Sequence, residues 1–259
     1  MLRTEGIYYN IGKKNILNNI SIDFKPGEVN MILGPNGSGK STFLKVFSGE
    51  LKPSQGNVFM DNTNIRELKK EDIAKVRAVM TQQPELSFPL AVEEVVMMGR
   101  YPHFDFNPSR KDEEICNEAI SKMQVQHLVG RNYLTLSGGE KQRVQFARVL
   151  SQIWEVPESA SRYLFLDEPL TNLDINYQQS FLLVSQELAK TNTVLIAIMH
   201  DINLSVQYAD NLLFLKRGEL VAHGSASDIL SEELIKEVFD VDVRFVSNPI
   251  NGMPIMVYR

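Results

Sequence analysis

The nine residues "GPNGSGKST", Gly34 to Thr42, carry a glycine-rich pattern near the start of this 259-residue chain. They follow the apolar run "VNMIL" and precede a segment in which Phe43, Leu44 and Phe47 recur at helical spacing. This order of buried strand, glycine-rich loop and helix is the context that the phosphate-binding P-loop pattern requires. The sequence therefore predicts a phosphate cradle rather than a chance glycine turn.

The chemistry of this loop follows from its residue types. Its glycines allow backbone N–H groups to turn towards phosphate oxygens, and the N-terminus of the following helix adds a partial positive charge. We expect Lys40 to reach the β- and γ-phosphates, and the Ser41 hydroxyl to bind Mg²⁺. The predicted nucleotide-binding residues of the loop are Gly34, Pro35, Asn36, Gly37, Ser38, Gly39, Lys40, Ser41 and Thr42.

Two further apolar runs end in polar side chains. "YLFL" is followed by Asp167 and Glu168, and "TVLIAIM" is followed by His200. Ligands of open α/β sheets gather at the carboxyl ends of parallel strands, so these groups are expected beside the P-loop. We predict that Asp167 holds the metal, directly or through water, that Glu168 polarises the attacking water, and that His200 hydrogen-bonds the γ-phosphate. A pair of solvated acids and a structural histidine are the alternatives.

A second loop, "LSGGEKQR" at residues 136–143, also precedes a helix. Ser137 and Glu140 have the spacing of a capping box, and Gly138 and Gly139 leave the first backbone amides uncovered. The P-loop already wraps one side of a nucleotide, so this second anion site needs an anion of its own. A symmetric pair of chains, in which each Ser137 loop closes on the ATP of the other chain, satisfies both loops. The alternative is a capped helix with two incidental glycines.

The order of the elements predicts an α/β fold. Strand patterns occur before and after residues 84–155, which contain mainly helical patterns. Short apolar runs that alternate with a helical stretch at about 176–190 imply a parallel sheet with right-handed crossovers. We predict one nucleotide-binding domain, in which residues 1–83 and 156–259 form the core with its β subdomain and residues 84–155 form an inserted helical subdomain.

Composition predicts a cytosolic protein that is not a general nucleic-acid binder. The formal net charge is −5, which does not favour binding to phosphate backbones. The single cysteine, Cys116, cannot form an internal disulfide, and we expect it to be a small apolar residue on a helix. No apolar run approaches the roughly 20 residues needed to cross a bilayer, and the first residues do not resemble a signal peptide.

Together these motifs resemble the ATP-binding-cassette (ABC) family, in the family's order and along nearly the whole chain. They are the P-loop, "LSGGEKQR" as the signature motif, "YLFLDEP" as the second nucleotide motif, and "IMHD" with the switch histidine His200. The resemblance implies an ATPase with a P-loop NTPase (RecA-like) core, an antiparallel β subdomain and an inserted α-helical subdomain. It also identifies Gln82 in "AVMTQQP" as the Q-loop glutamine and a metal ligand, with Gln83 as the other candidate, and Asp174 in "LTNLD" as the D-loop aspartate.

One position departs from the family pattern. The family usually stacks adenine on an aromatic residue directly before the glycine of its first loop, where this chain has Ile11 before Gly12. Tyr9 lies two residues earlier on the same face of the strand, and it is the predicted substitute. We expect looser nucleotide selectivity as a result.

Within the family, the sequence looks most like the ATPase subunits of bacterial importers for iron chelates, haem and vitamin B12. "LSFPLAVEEVVMMGRYPH" and the C-terminal tail carry this resemblance, and the loop "SQIWEVPESASRYLFLDEP" and the ending "NPINGMPIMV" are most like the haem-importer branch. The resemblance implies haem import, with ferric-siderophore or cobalamin import as alternatives. A soluble ATPase of the family that acts as an assembly scaffold, without a permease, is the alternative of another class.

The resemblance also implies partners and a location. The ligands are ATP and Mg²⁺, and the partners are a second copy of the chain, two integral-membrane permease subunits and, indirectly, a substrate-binding protein. The subunit would lie peripherally on the cytoplasmic face of the bacterial inner membrane. A cytoplasmic helix of the permease is expected to dock in a groove beside the Q-loop, near residues 84–103, so that Gln82 reports the γ-phosphate to the membrane. We expect His103, Met97 and Met98 to pack or to line this groove rather than to bind haem.

Overall fold

The computed structural model describes residues 1–81, 86–156 and 160–259. The strands in these residues are β1 (Leu2–Ile11), β2 (Lys14–Phe24), β3 (Val29–Leu33), β4 (Gln55–Met60), β5 (Thr63–Asn64), β6 (Arg77–Met80), β7 (Arg162–Asp167), β8 (Thr193–Ile198), β9 (Asn211–Lys216), β10 (Glu219–Gly224), β11 (Val243–Ser247) and β12 (Pro254–Tyr258). The helices are α1 (Lys40–Phe47), α2 (Lys70–Val76), α3 (Val92–Met97), α4 (Arg110–Lys122), α5 (Gly138–Gln152), α6 (Ile175–Ala189), α7 (Ile202–Tyr208), α8 (Ala226–Ile229) and α9 (Glu232–Phe239).

The central sheet has the strand order β10-β9-β3-β8-β7-β6. The strands from β9 to β6 pair in parallel, whereas β10 joins the edge as an antiparallel partner of β9. Strands β3, β7 and β8 are buried almost throughout, which matches their continuous apolar sequences. The predicted parallel sheet is therefore confirmed. Because β8 lies between β3 and β7, the residues that follow all three strands meet at one edge.

A second, antiparallel sheet has the order β2-β1-β4-β5. Its apolar side chains share a buried cluster with α1 and with one face of the central sheet. In this cluster the rings of Phe43 and Phe47 stack at 3.8 Å, and the ring of Phe24 on β2 meets both edge-on. The antiparallel β subdomain is confirmed, and its packing holds the helix that follows the P-loop.

The helices of the segment between β6 and β7 pack on the other face of the central sheet. Val95 of α3, Ile120 of α4 and Phe146 of α5 belong to the same buried cluster as Leu164 and Leu166 of β7. The helical character of this segment is confirmed. The same buried cluster includes residues before, within and after this segment, so it does not mark where a helical subdomain begins or ends. The boundaries at residues 84 and 155 therefore stay a prediction. Among the described residues, no helix combines the length and the apolar character that a bilayer crossing requires.

The C-terminal segment forms α9 followed by the hairpin β11–β12. Asn203 of α7 fastens the hairpin, because its side chain donates to the Met256 carbonyl at 3.1 Å and accepts from the Met256 N–H at 2.7 Å. The hairpin therefore lies against the helix that begins just after His200.

Cys116 is a buried residue of α4 whose Sγ lies 3.8 Å from Sδ of Met97. Burial raises the pKa of its thiol to about 11, because a buried thiolate would lose its hydration. We expect the folded protein to react with iodoacetamide at pH 8 about 10²-fold more slowly than protein unfolded in guanidinium, as measured by mass spectrometry of the alkylated chain. Equal rates in the two states would contradict the buried placement.

Candidate active site

The P-loop joins the end of β3 to the start of α1, as the sequence predicts. Gly34, Gly37 and Gly39 have φ angles of +153°, +76° and +102°, a region that residues with a side chain rarely adopt. At Gly34, a Cβ would also lie 2.2 Å from the carbonyl oxygen of Leu215 on β9. The shape of the loop therefore depends on glycine at its first position for two separate reasons.

Lys40 is the first residue of α1, and its side chain folds back into the loop. The residue is 7% exposed, and its Nζ donates to the carbonyl oxygens of Gly34 at 2.8 Å and Pro35 at 3.1 Å. Burial lowers the pKa of Lys40, and the nearby carboxylates of Glu168 and Asp167 oppose that shift. The ammonium group lies among the loop carbonyls, next to the place where phosphate oxygens would be bound.

The buried hydroxyl of Ser38 also belongs to this loop. Its Oγ makes no hydrogen bond to any residue in the described parts of the chain. An unsatisfied buried hydroxyl costs roughly 1–3 kcal/mol, and a phosphate oxygen would remove that cost. Asn36 and Gly37 are exposed, and Thr42 is half-buried on the first turn of α1. The loop thus has both an unpaired polar group inside and an open tip.

Ser41 and Asp167 meet at the edge of the central sheet. Ser41 Oγ donates to Asp167 Oδ1 at 3.4 Å. Burial at the end of β7 raises the pKa of the Asp167 carboxyl, and the Ser41 hydrogen bond opposes that shift. Hydroxyl and carboxylate oxygens are ligands that suit Mg²⁺, so the residues present fit this ion. The third predicted metal ligand, Gln82, and its alternative Gln83 lie outside the described residues.

Glu168 and His200 come together across neighbouring strands. Glu168 follows β7, His200 follows β8 after Met199, and Glu168 Oε1 lies 2.7 Å from His200 Nε2. Glu168 has a φ of +51°, whereas a residue before proline prefers an extended backbone. This left-handed conformation costs roughly 1–2 kcal/mol, and strain of this kind is concentrated at functional sites. The structure therefore brings together the two predicted catalytic residues.

The signature motif caps α5 as its spacing predicts. Ser137 Oγ accepts from the Glu140 N–H at 3.3 Å, and the Glu140 carboxylate accepts from the Ser137 N–H at 2.8 Å. The hydrogen bond from the Ser137 backbone is the largest cause of the lowered pKa of Glu140. Ser137 and Gly138 are exposed. The N-terminus of α5 is thus accessible to an anion from outside the chain.

The signature glycines have a further role that their spacing did not reveal. A Cβ at Gly138 would lie 3.1 Å from Cβ of Asn172, and a Cβ at Gly139 would lie 2.9 Å from the Asn172 carbonyl oxygen. Asn172 has a φ of +65°, a conformation that asparagine tolerates, and it lies just before Asp174. Asp174 caps α6 by accepting from the Tyr177 N–H at 3.0 Å. The D-loop therefore packs on the signature loop of its own chain.

Tyr9 and Ile11 lie on β1, which pairs with β2. Tyr9 pairs with Leu17 of β2 and is half-buried against the cluster around α1. Leu17 lies next to the loop, since its Cδ2 would be 3.1 Å from a Cβ at Gly39. Ile11 is 61% exposed and presents the larger apolar surface to solvent. Adenine stacking on Tyr9 stays a prediction.

Known proteins resemble this chain along most of its length. The family model for ABC transporters matches residues 17–171. The hemin import ATP-binding protein HmuV of Gloeobacter violaceus is 41% identical over 99% of this chain and 94% of its own length.

Two solved structures show the same fold. An inward-facing ABC transporter of the metal-chelate type superposes with a TM-score of 0.83 at 24% identity, over 100% of this chain and 96% of that chain. A dimeric ATP-binding cassette in a post-hydrolysis state, bound to ADP and Pi, superposes with a TM-score of 0.74 at 24% identity, over 87% of this chain and 98% of that chain. With the family match covering more than half of its residues, the chain belongs to the ABC transporter family and is an ATP-binding subunit that hydrolyses ATP.

Proposed function

We propose that this chain is the ATPase subunit that powers haem import across a bacterial inner membrane. The observation that carries the proposal is the 41% identity to a hemin import ATP-binding protein along 99% of the chain. The similarity extends over the helical segment and the C-terminal hairpin as well as the nucleotide motifs. This similarity is therefore more specific evidence for the transported substrate than the nucleotide motifs, which occur throughout the family.

The predicted site residues divide the hydrolysis reaction between them. Lys40 and the P-loop amides hold the β- and γ-phosphates, Glu168 accepts the proton of the attacking water, and His200 hydrogen-bonds the γ-phosphate. A bond forms between the water oxygen and the γ-phosphorus. The bond from this phosphorus to the β–γ bridging oxygen breaks, and ADP leaves with that electron pair. The 2.7 Å contact between Glu168 and His200 supports this division, because it keeps both groups at one place.

A magnesium ion is part of the proposed site. Ser41 and Asp167 would hold it, together with Gln82 from outside the described residues. Bound there, the ion would neutralise the charge that develops on the phosphate oxygens. The oxygen donors of Ser41 and Asp167 already lie within 3.4 Å of each other, which supports a shared ligand.

The working unit is proposed to be a symmetric pair of chains. The exposed, capped N-terminus of α5 supports this arrangement, because Ser137, Gly138, Gly139 and Glu140 can then close on the ATP of the partner. Asp174 would lie near the same interface, since the D-loop packs on the signature glycines. ATP would join the two chains, and hydrolysis would release them.

The permease is proposed to dock in a groove between α3 and α4. The groove has a volume of about 590 Å³, and its lining includes the apolar side chains of Met97 and Tyr101 and the acidic residues Glu93 and Glu113. Phe106, which also lines it, is 93% exposed. A cytoplasmic permease helix with basic residues beside an apolar stripe would complement this surface. The groove reaches α4, farther along the chain than the residues that the sequence singled out.

Docked in this way, the subunit would lie on the cytoplasmic face of the inner membrane. In the proposed division of the domain, residues 84–155 carry both the groove and the signature helix, so a movement of the permease reaches the nucleotide through one segment. Residues 1–83 and 156–259 hold the P-loop, Asp167, Glu168 and His200.

The contacts of His103 support a packing role for this side chain rather than haem binding. Its Nε2 lies 2.8 Å from the Gln152 carbonyl oxygen, and burial lowers the pKa of the ring. The imidazole thus packs against the end of α5. Haem would meet the permease and the binding protein rather than this subunit.

Transport by the reconstituted complex tests the proposal. The chain, its permease and the binding protein would be placed in proteoliposomes and offered haem, a ferric siderophore and cobalamin in parallel. We expect ATP-dependent uptake of haem above that of the other two, and no uptake by the complex with Lys40→Ala. Preferred uptake of the siderophore or cobalamin would contradict haem as the substrate. Failure of any permease to co-purify from detergent-solubilised membranes would favour the scaffold alternative.

A further inference from the structure

Gln142 is a buried glutamine on α5, little more than one helical turn after Ser137. It is 6% exposed, and its Nε2 donates to the carbonyl oxygen of Pro169 at 2.9 Å. Pro169 directly follows Glu168, the proposed general base. The helix that presents the signature loop therefore also holds the chain next to Glu168.

The backbone at Glu168 needs such a restraint. Its φ of +51° is unusual for a residue before proline, so the local sequence does not favour it. The turn that follows is closed by a hydrogen bond from the Thr171 N–H to the Glu168 carbonyl at 3.3 Å, which is longer than the Gln142 contact. Without the Gln142 donor, the buried Pro169 carbonyl loses this partner, and the turn can relax.

Further contacts make α5 and the D-loop one unit. The guanidinium of Arg143 lies 3.9 Å from the ring centroid of Tyr177 on α6, a cation–π distance. The close approach of Gly139 to Asn172 secures the other end of the same surface. Together with the Gln142 bond to Pro169, these contacts hold the segment that follows Glu168 against α5.

We propose that Gln142 is a positioning residue that transmits the closure of the signature loop to Glu168 of the same chain. In the symmetric pair, that loop closes on the ATP held by the partner, whereas Glu168 acts on the ATP held by its own P-loop. When the signature loop of one chain binds the ATP held by its partner, Gln142 orients Glu168 of that first chain towards the ATP in its own P-loop. The two hydrolysis sites are thereby coupled through α5. The inference rests on the proposed role of Glu168 and on the proposed pair.

Gln142→Met tests the inference, because methionine has a similar length and no donor. We expect kcat for ATP hydrolysis to fall about tenfold, since small misplacements of a catalytic group have effects of this size or larger. KM for ATP should stay within about twofold, because the phosphate-binding groups are unchanged. The Hill coefficient for ATP should fall towards 1.

Gln145→Met is the matched control. Gln145 is also buried on α5, 1% exposed, but its Nε2 donates at 2.9 Å to Tyr133 Oη within the helical segment. This variant loses that hydrogen bond and the one that Gln145 Oε1 accepts from Arg148 Nε at 2.7 Å, so its melting temperature should fall at least as much, while kcat changes less than twofold and the Hill coefficient keeps its wild-type value. An equal loss of kcat in both variants, measured where both are folded, would overturn the inference.

A second measurement separates positioning from damage to the signature loop. In a Glu168→Gln background, Gln142→Met should leave ATP-dependent dimerisation unchanged by light scattering. Loss of dimerisation would mean that Gln142 acts on ATP binding, which contradicts the inference. Full hydrolysis by Glu168→Gln alone would reject the general base itself. An inactive Glu168→Gln together with unchanged kcat in folded Gln142→Met would reject only the positioning role.

Discussion

Glu168→Gln is expected to lower kcat for ATP hydrolysis by about 10² to 10⁴ while ATP binding stays intact. The amide has nearly the same shape as the carboxylate, but it does not accept a proton from water. The expectation is specific to this position because Glu168 Oε1 lies 2.7 Å from His200 Nε2, and His200 follows β8, the neighbour of the P-loop strand β3. Phosphate release at saturating ATP gives kcat, and titration with a fluorescent ATP analogue gives the affinity.

The matched control is Glu237→Gln, which makes the same chemical change at an exposed position on α9. Surface changes of this kind usually alter stability by less than about 0.5 kcal/mol, so kcat should not change measurably. Hydrolysis by Glu168→Gln at the wild-type rate would show that another group takes the proton. The roles assigned to Glu168 and, through it, to Gln142 would then both be wrong.

The second large effect concerns the shared site. Ser137→Arg places a bulky cation at the exposed N-terminus of α5 and removes its cap, whereas Lys40→Ala removes the ammonium group from the P-loop. The ATPase activity of each variant alone should fall by about 10²-fold or more, because both sites of each homodimer then carry the same defect. An equal mixture should recover activity, since each heterodimer combines an intact P-loop with an intact signature loop at one site.

The recovered activity has an upper limit of roughly one quarter of the wild-type value, since half of the dimers are mixed and each has one of two sites intact. The Gln142 coupling would reduce it further. As a control, an excess of chains carrying both substitutions should suppress wild-type activity, because every mixed dimer then has one defect at each site. Wild-type activity in Ser137→Arg alone would contradict the shared site. Native mass spectrometry would confirm that mixed dimers form.

Much of the site could be predicted from the sequence, because each of its motifs lies next to a strand or helix that the local sequence also specifies. The P-loop pattern lies between a buried strand and a helix, and both follow from the local periodicity of apolar residues. The capping box at Ser137 and Glu140 likewise connects residues that are neighbours along the helix. Placement of Asp167, Glu168 and His200 at one edge followed from the rule that parallel strands present their carboxyl ends together.

Features that depend on contacts between distant segments could not be predicted from local patterns. The adjacency of β3, β8 and β7 is a matter of strand order, and the antiparallel strand β10 at the edge of the parallel sheet was not predicted. The packing of Asn172 on the signature glycines was likewise missed, although an asparagine in a left-handed turn is a known local preference.

Local patterns in the amino-acid sequence predict the phosphate loop, the strand that ends in Asp167 and Glu168, the strand that His200 follows and the capped signature helix. The tertiary structure alone decided that Gln142 holds Pro169 beside a strained Glu168, and that the signature and D-loops of one chain form a single surface. The difference arises from the separation along the chain of the residues that interact. Caps and periodicity act between residues a few positions apart, whereas the partner of a buried amide depends on which distant segments the folded core brings into contact.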